Sequence, residues 1–141
     1  MKKQIFLLLF FVLAVVALKA QVIEIDDDYD IKYNNRPIVI ELYATWCAPC
    51  RAYAPIFNRL AREYKGRVDF YRIDIDNPDA EDYLDMFPAQ SVPTTYFLWS
   101  PRDDGEVKKH KESGLMKYSE LKANIEATIR KQGQQRNDND Y

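Results

Sequence analysis

Cysteine is scarce in this chain. Only Cys47 and Cys50 occur in 141 residues, too few for a disulfide framework, so the pair is a redox site, a metal site or an accident. Histidine is scarcer still. With His110 as the sole example, a four-ligand zinc site around the cysteines lacks donors, and no metal is expected. There is no excess of positive charge: the formal net charge is −2 and no basic patch with interleaved aromatics occurs. Nucleic acid is therefore not an expected partner. No apolar run reaches the ~20 residues that a membrane span needs. Internal repeats and low-complexity linkers are absent as well, which leaves one domain, long enough to bury a core. What is present is an apolar content of 47% with 13% aromatics, the composition of a globular chain and not of a disordered one.

The first twenty residues stand apart. Met1-Lys2-Lys3 is a short positive region, and Ile5 to Leu18 is a purely apolar run of fourteen residues. Ala17-Leu18-Lys19-Ala20 then supplies small residues before Gln21, with a second possible cut after Val15-Val16-Ala17. This is the three-part layout of a secretory signal peptide, and it looks bacterial. The alternative is an uncleaved segment that tethers the protein to the membrane. No cysteine lies near the junction, so a lipid-anchored form is not expected. Without Lys2, Lys3 and Lys19, 17 basic residues face 22 acidic ones, a net of −5. An acidic, soluble domain in an oxidising compartment, periplasmic or secreted, is the expectation.

Taken in order, Val22 to Ile25 alternates as a short first strand, and Asp26 to Asp30 is either a short helix start or a solvated acidic loop. Ile38 to Tyr43 is an apolar run that predicts a central strand buried on both faces, interrupted by Glu41. From Arg51 to Tyr64, Tyr53, Ala54, Phe57, Leu60 and Ala61 follow helical spacing, with Pro55 inside the pattern and Gly66 after it. Residues 67–74 predict a strand, 77–87 a helix and 95–99 a strand; Ser100 to Gly105 is a turn, and 106–111 is the returning antiparallel strand. Leu121, Ile125 and Ile129 mark a last amphipathic helix, and residues 132–141 predict a disordered polar tail. Strands alternating with helices imply an α/β domain over 21–131, with a parallel sheet finished by an antiparallel hairpin.

Trp46-Cys47-Ala48-Pro49-Cys50 joins the central strand to the following helix. A Cys-x-x-Cys at such a junction is a redox motif with a mechanism. The first thiol is expected to face solvent at the helix N-terminus, where free N–H groups and the macrodipole favour a thiolate. The second lies one turn along, within reach of a mixed disulfide formed by the first.

At these residues the chain resembles the thioredoxin family, and the resemblance extends over 37–130. Pro55 looks like the family's kinking proline, Arg72 to Pro78 like its strand exit, and Val92-Pro93-Thr94 like the loop carrying its cis-proline. Gly105-Glu106-Val107 and Gly114 resemble its hairpin turn and the glycine before the last helix. There are departures: Glu41 stands where thioredoxins usually carry a buried aspartate, Ala48 replaces the usual glycine, Pro88 stands where glycine is common, and the hairpin around Pro101 is longer. The resemblance implies a thioredoxin fold, a mixed sheet with a C-terminal hairpin and helices on both faces.

It also implies an exported thiol–disulfide oxidoreductase that reduces protein disulfides. Cys47 would be the nucleophile, Cys50 the resolving thiol, and Glu41 the base, tempered by a nearby Arg72. Trp46, Pro49, Val92 and a cis Pro93 would meet an extended substrate strand. No cofactor beyond the dithiol is implied. Partners would be protein thiols and disulfides, with a membrane electron-transfer protein feeding a reductant, and the protein is expected to be a monomer. Three alternatives stay open: a net oxidant, a peptide-binding or chaperone module, and a structural disulfide. Glu41 is alternatively an ordinary ion-paired residue, Pro93 a trans turn proline, and Tyr96, Phe97, Trp99 and His110 sheet-face residues without a role in chemistry.

Overall fold

A computed structural model describes Met1 and residues 22–26, 30–99 and 107–138. Residues 2–21, 27–29, 100–106 and 139–141 lie outside the described residues, and so do the signal peptide and the turn expected there. Among the described residues no helix is long and apolar enough to cross a membrane.

Five strands form one sheet in the order β1-β3-β2-β4-β5, where β1 is Val22–Glu24, β2 Ile38–Tyr43, β3 Asp69–Asp74, β4 Thr94–Trp99 and β5 Lys108–Ser113. The pairs β1·β3 and β3·β2 are parallel, and β2·β4 and β4·β5 are antiparallel. The strand with the most continuous apolar run thus sits in the middle, as burial on both faces requires. Helix α1 spans Ala48–Glu63, α2 Glu81–Met86 and α3 Tyr118–Asp138, with a single 3₁₀ turn at Pro78–Ala80 leading into α2.

Both faces of the sheet are covered. Val39, Phe70 and Phe97 pack against Tyr53, Phe57 and Leu60 of α1 and Leu121 and Ile125 of α3. Ile40, Tyr71, Ile73 and Leu98 pack on the other side with Ile25, Ile31 and Phe87. Period-two alternation along each strand does this sorting, because successive side chains point to opposite faces. The fold is α/β of the thioredoxin type.

Three boundaries differ from the expectations. Helix α1 begins at Ala48, not Arg51, because the Cys47 side chain caps it and Pro49 occupies its first turn, where a missing N–H costs nothing. Pro55 lies inside α1 without ending it. Strand β5 runs two residues later, set by pairing from Trp99↔Lys108 to Thr94↔Ser113 and closed by the Gly114 amide donating to the Pro93 carbonyl at 2.8 Å. The largest correction concerns the tail: α3 continues to Asp138, and Gln132 is buried. Gln132 falls on the stripe that carries Leu121, Ile125 and Thr128, so the packed face outlasts the apolar sequence pattern.

Candidate redox site

The end of β2 and the start of α1 place the two cysteines. Ala44, Cys47 and Cys50 form a small buried cluster with Tyr43, Ile75 and Val92 against it. Cys47 and Cys50 are joined by a disulfide. The Cys50 amide donates to Cys47 Sγ at 3.2 Å, so the sulfur already occupies the place an N-cap acceptor takes. A thiolate there meets an oriented N–H and the positive end of a sixteen-residue helix.

Cys47 was expected to face solvent. In the disulfide form it is only 4% exposed, because Val92 and Ile75 close over it. The exposed rim is made by its neighbours instead: Trp46 is 65% exposed, and Ala48 and Pro49 are open to solvent. Trp46 is held in place by its indole N–H, which donates to Asp76 Oδ2 at 2.7 Å.

The Val92–Pro93 peptide bond is cis, and the Val92 carbonyl oxygen lies 3.6 Å from Cys47 Sγ. Val92 and Trp46 line one cavity of about 350 Å³, whose remaining wall is Ile75, Leu84 and the segment 88–91. That wall was not legible in the sequence. Only the sheet order brings α2, with Leu84, beside the cysteines.

Glu41 lies on β2, on the face covered by α1, and is wholly buried. Arg72 Nε donates to its Oε2 at 2.9 Å, while Oε1 is buried without a hydrogen-bond partner among the described residues. Burial pushes the carboxyl from the usual 4.5 up to about 7, against the opposing charge of and hydrogen bond from Arg72. Desolvation wins because one ion pair leaves half of the carboxylate uncompensated. The structure brings Cys47, Cys50, Trp46 and Val92 together; the hydrogen bond of Glu41 goes to Arg72 and not to a cysteine. Tyr53 and Thr95 share its side of the sheet and bond to each other at 3.1 Å.

His110 is exposed on β5, stacks on Phe97 and bonds Glu112 at 2.8 Å. Among the described residues no group of three or more His, Cys, Asp or Glu side chains is placed to hold a metal.

Comparison with known proteins agrees with this geometry. The family model described as Thioredoxin matches residues 21–127. The thioredoxin of Borreliella burgdorferi is 39% identical over 65 residues, which cover 46% of this chain and 54% of that protein. The chloroplastic thioredoxin-like protein HCF164 of Oryza sativa subsp. japonica is 40% identical over 65 residues, 46% of this chain and 25% of its own length. The chain thus spans about half of the first relative and a quarter of the second. Among solved structures, the long form of thioredoxin f from spinach chloroplast matches with a TM-score of 0.61 at 28% identity, covering 76% of this chain and 85% of its own.

Proposed function

The chain belongs to the thioredoxin family of redox proteins, and from that membership we propose that it is an exported reductant of protein disulfides. The observation that carries the reading is the position of Cys47 Sγ, capped by the Cys50 amide and flanked by the Val92 carbonyl.

In this reading the reduced protein starts with a Cys47 thiolate, favoured by the helix N-terminus by about 0.3–2 kcal/mol. The thiolate attacks one sulfur of a substrate disulfide and expels the other as a thiolate, giving a Cys47–substrate mixed disulfide. Glu41 takes the Cys50 proton. The Cys50 thiolate then attacks Cys47 Sγ, releasing the second substrate sulfur and leaving the Cys47–Cys50 disulfide. Two electrons pass to the substrate, whose two thiolates take up two protons. Trp46, Pro49, Val92 and Pro93 form the rim on which an extended segment lies, with backbone pairing at Val92 as its anchor. The dithiol is the only redox group the cycle needs. Re-reduction falls to a membrane partner that passes electrons through its own thiols.

Residues 1–20 act as the export signal in this account, and the exported form works as a monomer. Insulin reduction by the pre-reduced protein tests the chemistry. Cys47→Ser should abolish it, and Cys50→Ser should accumulate the mixed disulfide, seen as an adduct by mass spectrometry. Full activity in Cys47→Ser contradicts the mechanism.

A further inference from the structure

The register of the sheet lines up an unusual row at the level of Glu41. Glu24 on β1 pairs with Arg72 on β3, Arg72 with Glu41 on β2, and Glu41 with Thr95 on β4. Arg72 bonds Glu41 through Nε, and its guanidinium carbon lies 3.9 Å from the centre of the Tyr43 ring. Glu24 and Tyr43 act on each other as well: Glu24 raises the Tyr43 hydroxyl, and Tyr43 lowers the Glu24 carboxyl. One cation therefore stands in register between two carboxylates, hydrogen-bonded to the inner one and packed on an aromatic ring.

We propose that Glu24 is a positioning residue of the redox site: with Tyr43 it holds the Arg72 guanidinium in common between two carboxylates, leaving Glu41 free to exchange a proton with Cys50. This rests on the oxidoreductase reading given above. A base for a buried thiol works best when its own pKa lies near the working pH. An arginine given wholly to Glu41 would hold that carboxyl ionised and make it a poor proton acceptor. Glu24 opposes this by drawing on the same positive charge and by repelling a charge on Glu41.

The groups facing Glu41 are few. Arg72 comes from β3, Tyr43 from its own strand, Glu24 from β1, Tyr53 from α1 and Thr95 from β4. Burial pushes the hydroxyls of Tyr53 and Tyr43 upward, so both stay neutral near pH 7. Among these groups the charges that act on Glu41 are Arg72 and Glu24. Glu24 is exposed on the edge strand β1; its carboxyl is raised by partial desolvation, drawn down by Tyr43 and Arg72, and raised further by Asp74 and Asp26.

The test uses the full chain with Glu24→Gln, which keeps the size of the side chain, and Glu24→Asp, which keeps the charge. Carbon-13 NMR of the Glu41 carboxyl in the oxidised protein gives its titration midpoint without any turnover. Two strand spacings of ~4.8 Å separate the two positions, which predicts a fall of roughly half to one pH unit in Glu24→Gln. Glu24→Asp should stay close to the parent. The acid limb of the insulin-reduction profile should move down with the carboxyl. An unchanged or raised midpoint in Glu24→Gln overturns the proposal, as does a rate profile that stays in place while the midpoint moves. A parent protein without Cys47-dependent turnover would instead remove the oxidoreductase reading, whatever the carboxyl does.

Discussion

Glu41 is wholly buried, and one of its oxygens has no hydrogen-bond partner among the described residues, a combination with consequences for stability. Its carboxyl binds a proton more tightly in the folded chain, with a pKa of about 7 against 4.5 in the unfolded one. A raised pKa contributes stability that is complete below the unfolded value and is lost as pH rises through the folded one. The difference amounts to about 3 kcal/mol. Urea unfolding should therefore show stability falling between about pH 4.5 and pH 7, and Glu41→Gln should flatten that fall. A profile of equal slope in the variant would show that the carboxyl is not the titrating group. The same substitution should slow insulin reduction on the order of 10²-fold, the usual worth of a general base. At this scale the sequence was informative where a residue broke its own pattern. A carboxylate inside Ile38–Tyr43 is conspicuous, and two cysteines at a strand–helix junction are more so. Glu24, Tyr43 and Asp76 were silent, because their contacts depend on which strands become neighbours, and periodicity within one segment carries no such information.

Helices and strands show the same division. Helix α1 was readable because its apolar face is regular, and Phe57 is its centre, fully buried with its ring edge-on to Phe70 at 5.3 Å. Phe57→Ala should cost about 3–5 kcal/mol in chemical denaturation, a loss that combines transfer and cavity. Helix α3 was readable only in its first half. Beyond Ile129 the sequence turns polar, yet Gln132 lies buried on the same stripe as Leu121, Ile125 and Thr128. A polar side chain that packs by its stem is invisible to a hydrophobicity pattern. Removal of residues 132–141 should accordingly lower stability by about 1 kcal/mol. Equal stability of the shortened chain would restore the disordered tail that the composition suggests. The two-residue offset of β5 has a related origin. Lys108–Ser113 is a polar strand at the sheet edge, and its register comes from β4 and the Gly114–Pro93 hydrogen bond.

For the molecule as a whole, the order β1-β3-β2-β4-β5 puts the apolar β2 at the centre and delivers the cysteines to its end. The alternation of strands and helices made that architecture legible, while the cavity beside Cys47 emerged only once α2 was laid against the sheet. The proposed export is tested at this scale as well. Mass spectrometry of the protein recovered outside the cytoplasm should find an N-terminus near Gln21, and a retained Met1 would mean a tether instead. The Cys47–Cys50 couple is proposed to serve as a reductant, and its reduction potential decides this. Equilibration of the exported form with a defined thiol–disulfide buffer, followed by alkylation and mass measurement, gives the value. A reductant should show a midpoint close to the ~−270 mV of thioredoxin. A midpoint close to the ~−120 mV of the strongest protein oxidants, or a disulfide that does not titrate, would contradict it.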